Sequence, residues 1–271
     1  MTDQPMLTLN DDRQMPQLGF GTYKIDTRDA VEAVQSAVDV GYRLIDTAAI
    51  YGNEEGVGEA LAKHPDIWLT TKVWNEDQGY EEAKTAFGHS LNRLGREDVD
   101  LLLIHWPCPD KGKFVDTWKA LIELREEGRA KSIGVSNFRE EDLRLLIEET
   151  GFAPAVNQIE LHPDFQQSAL YRVHEELGIV TQCWSPLGQG DAMKSAVVQR
   201  LAKTHDVSPA AIVLRWHLQW GLSAIPKASS REHIEANYAA THIRLSDEEM
   251  AQIDALDDPD GRIGPDPNEF C

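Results

Sequence analysis

Cysteine is scarce in this chain: Cys108, Cys183 and Cys271 are the only three in 271 residues, an odd and scattered set of the kind a reducing cytoplasm keeps. Basic residues are also in short supply. Twenty-six Lys and Arg stand against 46 Asp and Glu, and a formal charge of −20 repels phosphate backbones and acidic membrane surfaces, so no nucleic-acid partner is expected. No apolar run approaches the roughly 20 residues that span a bilayer, and no membrane association is expected. The opening Met1-Thr2-Asp3-Gln4-Pro5 lacks the basic and apolar segments of a signal peptide, which again suits a cytoplasmic protein. The nine histidines form no His-Glu-x-x-His motif and the cysteines no Cys-x-x-Cys, so no metal site is expected.

What the chain does have is regular alternation. Leu7-Thr8-Leu9 and Met15 to Leu18 read as a hairpin around the turn residues 10–13, and 18–23 reads as a first strand. Thr27 is a candidate cap for a helix that Gly41 stops. Strands at 43–46, 67–71, 99–104, 131–135, 155–159 and 179–184 then alternate with helices near 54–63, 80–93, 114–127, 139–149 and 167–177. A longer crossover carries two helices, the second capped by Ser208-Pro209, before a last strand at 221–225 and a helix at 231–240. Ser246 and Glu249 make a capping box for one further helix. Alternation of this kind means a parallel sheet, open or closed. Gly19-Phe20-Gly21-Thr22-Tyr23-Lys24 lacks the third glycine of a dinucleotide fingerprint, which removes the main support for an open doubly wound sheet. Eight strands in a chain of this length predict a single-domain (β/α)8 TIM barrel over residues 1–271, with an N-terminal β-hairpin and an additional C-terminal helix.

Active sites of such barrels lie at the carboxyl ends of the strands. Three successive predicted strands end there on Asp46, Lys72 and His105, and a small-residue turn brings Tyr51 beside the acid. A phenol is a poor acid at neutral pH, but a lysine cation beside it stabilises the phenolate and lowers its pKa. Asp46 would keep Lys72 charged, and His105 would hydrogen-bond a substrate oxygen against the Tyr51 hydroxyl. Any one of these residues could equally be a satisfied structural group; four converging on one opening are harder to read that way.

These residues lie within a longer series of motifs: Asp46-Thr47-Ala48 through Tyr51-Gly52-Asn53-Glu54, Thr71-Lys72, His105-Trp106-Pro107, Gly134 to Phe138 and Asn157-Gln158-Ile159-Glu160. The series resembles the aldo-keto reductase family over nearly the whole chain. Gln158 to Pro163, Trp184 to Gly190 and Ile225-Pro226-Lys227 bring it closest to bacterial 2,5-diketo-D-gluconate reductases. The resemblance implies NADPH-linked reduction of a small carbonyl to an alcohol, by a monomer, with Tyr51 as proton donor, Asp46 and Lys72 tuning it and His105 orienting the carbonyl. It also implies that Ser136, Asn137 and Gln158 hold the nicotinamide amide and that Trp184 stacks on the ring. Gly21, Thr22, Ser185, Leu187, Gln189, Lys227, Ser229, His233 and Asn237 complete the implied cofactor set, and Tyr23, Trp74, His105 and Trp106 the implied substrate pocket.

Two departures from the family pattern shape the expectations. Ala228 stands where a serine is common, and His233 where an arginine faces the adenine, which predicts preference for NADPH with appreciable use of NADH. The loop after His105 and the tail from Asp257 to Cys271 are short, which predicts an open pocket without a deep lid, suited to keto-sugar acids, methylglyoxal or simple aldehydes. Two other readings stay open: a Schiff-base aldolase using Lys72, and a nucleotide-binding regulatory protein with little turnover.

Overall fold

A computed structural model describes residues 4–271. Its first feature is the antiparallel pair β1 (Met6–Thr8) and β2 (Gln14–Pro16), closed by the turn in which Asp12 takes a positive φ. Leu9 and Met15 of this hairpin are buried and pack with Leu44, Trp68, Leu101 and Val156, so it plugs the amino-terminal mouth of the sheet.

Eight parallel strands follow in sheet order that matches chain order: β3 (Phe20–Gly21), β4 (Leu44–Asp46), β5 (Trp68–Val73), β6 (Val99–Ile104), β7 (Ala130–Ser136), β8 (Val156–Glu160), β9 (Val180–Trp184) and β10 (Ser223–Ala224). The two edges meet. Leu18 bridges Ala224 in parallel, Gly19 N–H donates to the Ala224 carbonyl at 2.9 Å, and Gly21 N–H donates to that of Pro226 at 3.1 Å, closing the sheet into the expected barrel. Gly21 has to be glycine here, because a Cβ would sit 2.8 Å from the Ile225 carbonyl oxygen.

Outside the strands lie α1 (Thr27–Val40), α2 (Glu54–Leu61), α3 (Tyr80–Leu94), α4 (Phe114–Glu126), α5 (Glu140–Thr150), α6 (Ser168–Leu177), α7 (Ala196–His205), α8 (Pro209–Gln219), α9 (Arg231–Tyr238) and α10 (Asp247–Asp254). In α1 the apolar stripe Ala30, Val34, Ala37 and Val38 is buried. The predicted caps of α8 and α10 form, Ser208 accepting from Ala211 N–H and Ser246 sharing a reciprocal box with Glu249. Thr27 does not cap α1. Asp26 occupies the cap position without a side-chain bond, and the Thr27 hydroxyl donates instead to the Gly52 carbonyl at 2.6 Å, tying α1 to the turn after β4. The first and last barrel strands are also shorter than expected, two residues each, and a single parallel bridge, Leu18 to Ala224, joins the chain across the seam.

The cysteines are not all free, contrary to the expectation of scattered thiols. Cys108 and Cys271 form a disulfide across 163 residues of sequence, while Cys183 is a buried free thiol. Spacing alone gives no sign of it, because the pair is brought together only by the path of the tail across the barrel. Among the described residues, no helix is long and apolar enough to cross a membrane.

Candidate active site

The turn after β4 is built before any chemistry is added to it. Asn53 donates to the carbonyls of Thr22 and Ile25, at 2.9 Å each, and accepts from the Thr47 hydroxyl at 2.8 Å. Glu54, fully buried, accepts from Thr71 on β5 at 2.6 Å and from Arg93 on α3 at 2.6 and 2.8 Å. Together they lock the turn that carries Tyr51, and Gly52 closes it in the left-handed region at φ 67°.

On that frame Lys72 donates to Asp46 Oδ1 at 2.6 Å, to the Thr47 carbonyl at 2.9 Å and to the Tyr51 hydroxyl at 3.4 Å. Both Lys72 and Asp46 are 1% exposed, so the pair is screened little by solvent. Burial lowers the Lys72 pKa, and Asp46 opposes that shift. Tyr51 behaves differently from expectation: burial, then the Asp46 and Tyr23 charges, push its pKa well above the ordinary 10.0, so the free protein holds a firmly protonated phenol. Burial also pulls His105 well below 6.5, helped by the Lys72 charge, leaving a neutral imidazole. Its ring lies 5.7 Å from that of Tyr51, and its Nδ1 has no hydrogen-bond partner among the described residues. A neutral ring with an unpaired nitrogen beside a phenol backed by an ammonium can bind and protonate one oxygen atom.

The residues proposed for the nicotinamide gather at the same mouth but bond to one another. Gln158 sends its Nε2 across the barrel to Asp46 Oδ2 at 2.8 Å and to Gln182 at 2.7 Å, and Gln182 continues to Ser223 at 3.0 Å. Ser136 donates to the Gln158 carbonyl at 2.8 Å. Asn137, at φ 64°, donates to the His105 carbonyl and to Ser136, and accepts from the Trp184 indole at 2.8 Å. Thr22 likewise turns its hydroxyl to the Asp46 carbonyl. Gly21 lies in the seam beside it.

Farther out, Ser185 and Gln189 hold positive φ in the loop after β9, with Leu187 half-buried between them. Lys227, Ser229 and His233 are exposed around the start of α9, and Asn237 is buried within it. Cations and hydroxyls grouped there suit a phosphate, and Trp184 at the mouth offers a flat face for a ring, so this donor set fits a phosphorylated dinucleotide.

At the substrate side Tyr23 is 57% exposed and packs at a tilt on Tyr51 with centroids 5.1 Å apart, and Trp74 meets His105 edge to face at 5.0 Å. Trp106 is buried. The resemblance also puts residues of the carboxyl tail at this opening, and Phe270 is one of them, packing 4.6 Å from Trp106 and 6.3 Å from Trp74 beside the disulfide at Cys271. The tail therefore crosses the mouth, and the expectation of an open pocket is corrected; a short segment covers the site because it is fastened, not because it is long. Glu160 fastens it too, accepting from Ile263 N–H at 2.6 Å and Gly264 N–H at 2.9 Å, with His162 at 3.2 Å behind.

A model of the Aldo/keto reductase family matches residues 17–258. The chain belongs to the aldo/keto reductase family. It is an oxidoreductase. An aldo-keto reductase of Mycobacterium sp. (strain KMS) is 47% identical over 270 residues, covering 98% of each chain. Methylglyoxal reductase DkgA of Yersinia pestis is 45% identical over 276 residues, covering 100% of this chain and 99% of its own. Among solved structures, a mutant of Gox0644 in complex with NADPH superposes with a TM-score of 0.97 at 46% identity, covering 99% of both chains.

Proposed function

We propose that this aldo/keto reductase takes small carbonyl compounds, methylglyoxal, simple aldehydes or keto-sugar acids such as 2,5-diketo-D-gluconate, and that Tyr51 protonates the carbonyl oxygen. The reaction is NADPH-dependent reduction of the carbonyl to an alcohol. One observation carries the assignment: Lys72 bridges Asp46 at 2.6 Å and the Tyr51 hydroxyl at 3.4 Å, beside a neutral His105.

The bound nicotinamide supplies the hydride. His105 and Tyr51 bind the carbonyl oxygen together, so negative charge developing there meets two hydrogen-bond partners. The proton then leaves the Tyr51 hydroxyl, and the phenolate left behind is stabilised by the Lys72 ammonium, which Asp46 keeps charged and oriented. Trp184, Ser136 and Asn137 line the nicotinamide position, with Gln158 supporting them from the barrel interior. Ser185, Leu187 and Gln189 would hold the diphosphate, and Lys227, Ser229, His233 and Asn237 the adenosine phosphate. Tyr23, Trp74 and Trp106 form the apolar wall that excludes water.

The Schiff-base reading gains one point from the lowered Lys72 pKa, but three donor contacts to Asp46, Thr47 and Tyr51 suit an ammonium better than a free amine. The family that the motif set resembles supports a monomer of one domain, and the three sparse cysteines a cytoplasmic setting. The test is NADPH consumption over a panel of aldehydes and keto acids. Wild type is expected to turn over, and Tyr51→Phe to lose about 10²–10⁴-fold in kcat. Equal rates for the two proteins would remove Tyr51 from the proton step.

A further inference from the structure

The mouth of the site carries a covalent link that carbonyl reduction does not use. Cys108 lies three residues after His105, fully buried between Pro107 and Pro109, with φ 44°. Cys271 is exposed, and its Cα lies 4.9 Å from that of Cys108, inside the range a disulfide spans. Its neighbour Phe270 is the ring that covers Trp106 and Trp74. The segment between Gly264 and Phe270 is thus a strap held at two points, covalently at Cys271 and through the Glu160 carboxylate at Ile263 and Gly264.

We propose that Cys271 is a thiol–disulfide exchange site for low-molecular-weight thiols and disulfides, and that its bond to Cys108 sets how far the carbonyl pocket opens. The second half rests on the reading of Trp74 and Trp106 as pocket walls. The direction of attack follows from exposure. An external thiolate reaches the exposed Cys271 sulfur, the Cys108–Cys271 bond breaks, and its electron pair leaves with Cys108, which takes a proton. A second thiol then attacks the mixed disulfide at the small-molecule sulfur and frees the Cys271 thiol. In total two external thiols are oxidised to one small disulfide, and the protein disulfide is reduced to two thiols by two electrons. A small-molecule disulfide drives the same steps backwards.

A permanent structural bond is rare where the compartment is reducing, whereas conditional bonds occur there. With the bond open, Phe270 keeps its ring contacts and the turn bond from its N–H to the Asp266 carbonyl at 2.9 Å, while the Glu160 anchor holds the strap several residues away. The pocket then admits larger carbonyls, while Asp46, Tyr51, Lys72 and His105 stay where they are, since none of them bonds to the strap.

The test compares the full-length enzyme equilibrated with oxidised glutathione and with dithiothreitol. Alkylation after denaturation followed by mass measurement is expected to count one thiol, Cys183, in the oxidised form and three in the reduced form. Three thiols under both conditions overturn the exchange site. Backbone hydrogen exchange between Gly264 and Phe270 is expected to rise on reduction, and unchanged exchange overturns the strap. In NADPH consumption, reduction is expected to lower KM for a bulky aromatic aldehyde about tenfold while moving that for methylglyoxal less than about twofold. Cys271→Ser is expected to match the reduced enzyme under both conditions. Equal KM ratios in the two redox states overturn the control of pocket width. Absence of turnover with any carbonyl speaks against the reductase reading instead, because thiol counts and hydrogen exchange read the strap without it.

Discussion

At Tyr51 two influences oppose each other, and their balance depends on whether the proton is present. Burial and the Asp46 charge keep the phenol protonated in the free protein, while Lys72 acts on the phenolate once the proton has left. The sequence suggested only the second influence, because adjacency of Lys and Tyr can be read from motifs but the degree of desolvation cannot. The pH dependence follows. Tyr51 is shifted up from 10.0 and His105 down from 6.5, so kcat/KM for reduction should stay level between pH 6.5 and 10. A rate that declines from pH 8 would show that the phenol loses its proton earlier than burial allows. A second prediction concerns His233, exposed near the start of α9. Restoring a permanent cation with His233→Arg should raise the kcat/KM ratio of NADPH over NADH by roughly fivefold, on the order of 1 kcal/mol for an exposed charge. Steady-state kinetics with both cofactors measures it.

Among the elements, α2 does most to connect the turn to the barrel wall. Its Glu54 is buried against Thr71 and reaches Arg93 on α3, so one carboxylate joins two helices and a strand. Arg93→Ala leaves that charge buried with the Thr71 hydroxyl alone, and should cost about 2 kcal/mol, discounted because Arg93 is itself partly exposed. Chemical denaturation of the two proteins measures it; a loss below about 0.5 kcal/mol would show that water replaces the arginine freely. Helices were legible wherever periodicity and caps agreed, as at α8 and α10. Thr27 misled because Asp26, directly before it, takes the cap position and the threonine bonds across space. Gln158 lies on the strand that alternation predicts, yet its bond to Asp46 bridges 112 residues of sequence, a distance no local pattern encodes.

Taken as a whole, the molecule buries several histidines in neutral form. Burial brings His174 and His217 down to about 4, and His105 moves the same way. The unfolded chain binds protons at these sites near 6.5, before the folded chain does. Their contribution to stability is therefore complete above pH 6.5 and is lost as pH falls from there toward 4, on the order of 3 kcal/mol for each of His174 and His217. The melting temperature should fall by roughly 10 °C or more across that interval, and His174→Gln should reduce the fall. Equal slopes for both proteins would assign the acid sensitivity to other groups. At this scale the barrel was legible from alternation and strand count, but the closing of its mouth was not. Cys108 and Cys271 gain meaning as a pair only after the tail has crossed the strand ends.

The seam of the barrel has a consequence for how the chain comes into being. Gln17 donates to the carbonyls of Leu218 and Leu222, about two hundred residues later, and residues 18–21 find their second neighbour only at Ala224 and Pro226. During synthesis the early strands must wait with one edge unpaired until the segment about two hundred residues later has left the ribosome. An open edge of that kind invites pairing with other nascent chains. The rate at which translation delivers β10 therefore bears on the yield of closed barrels.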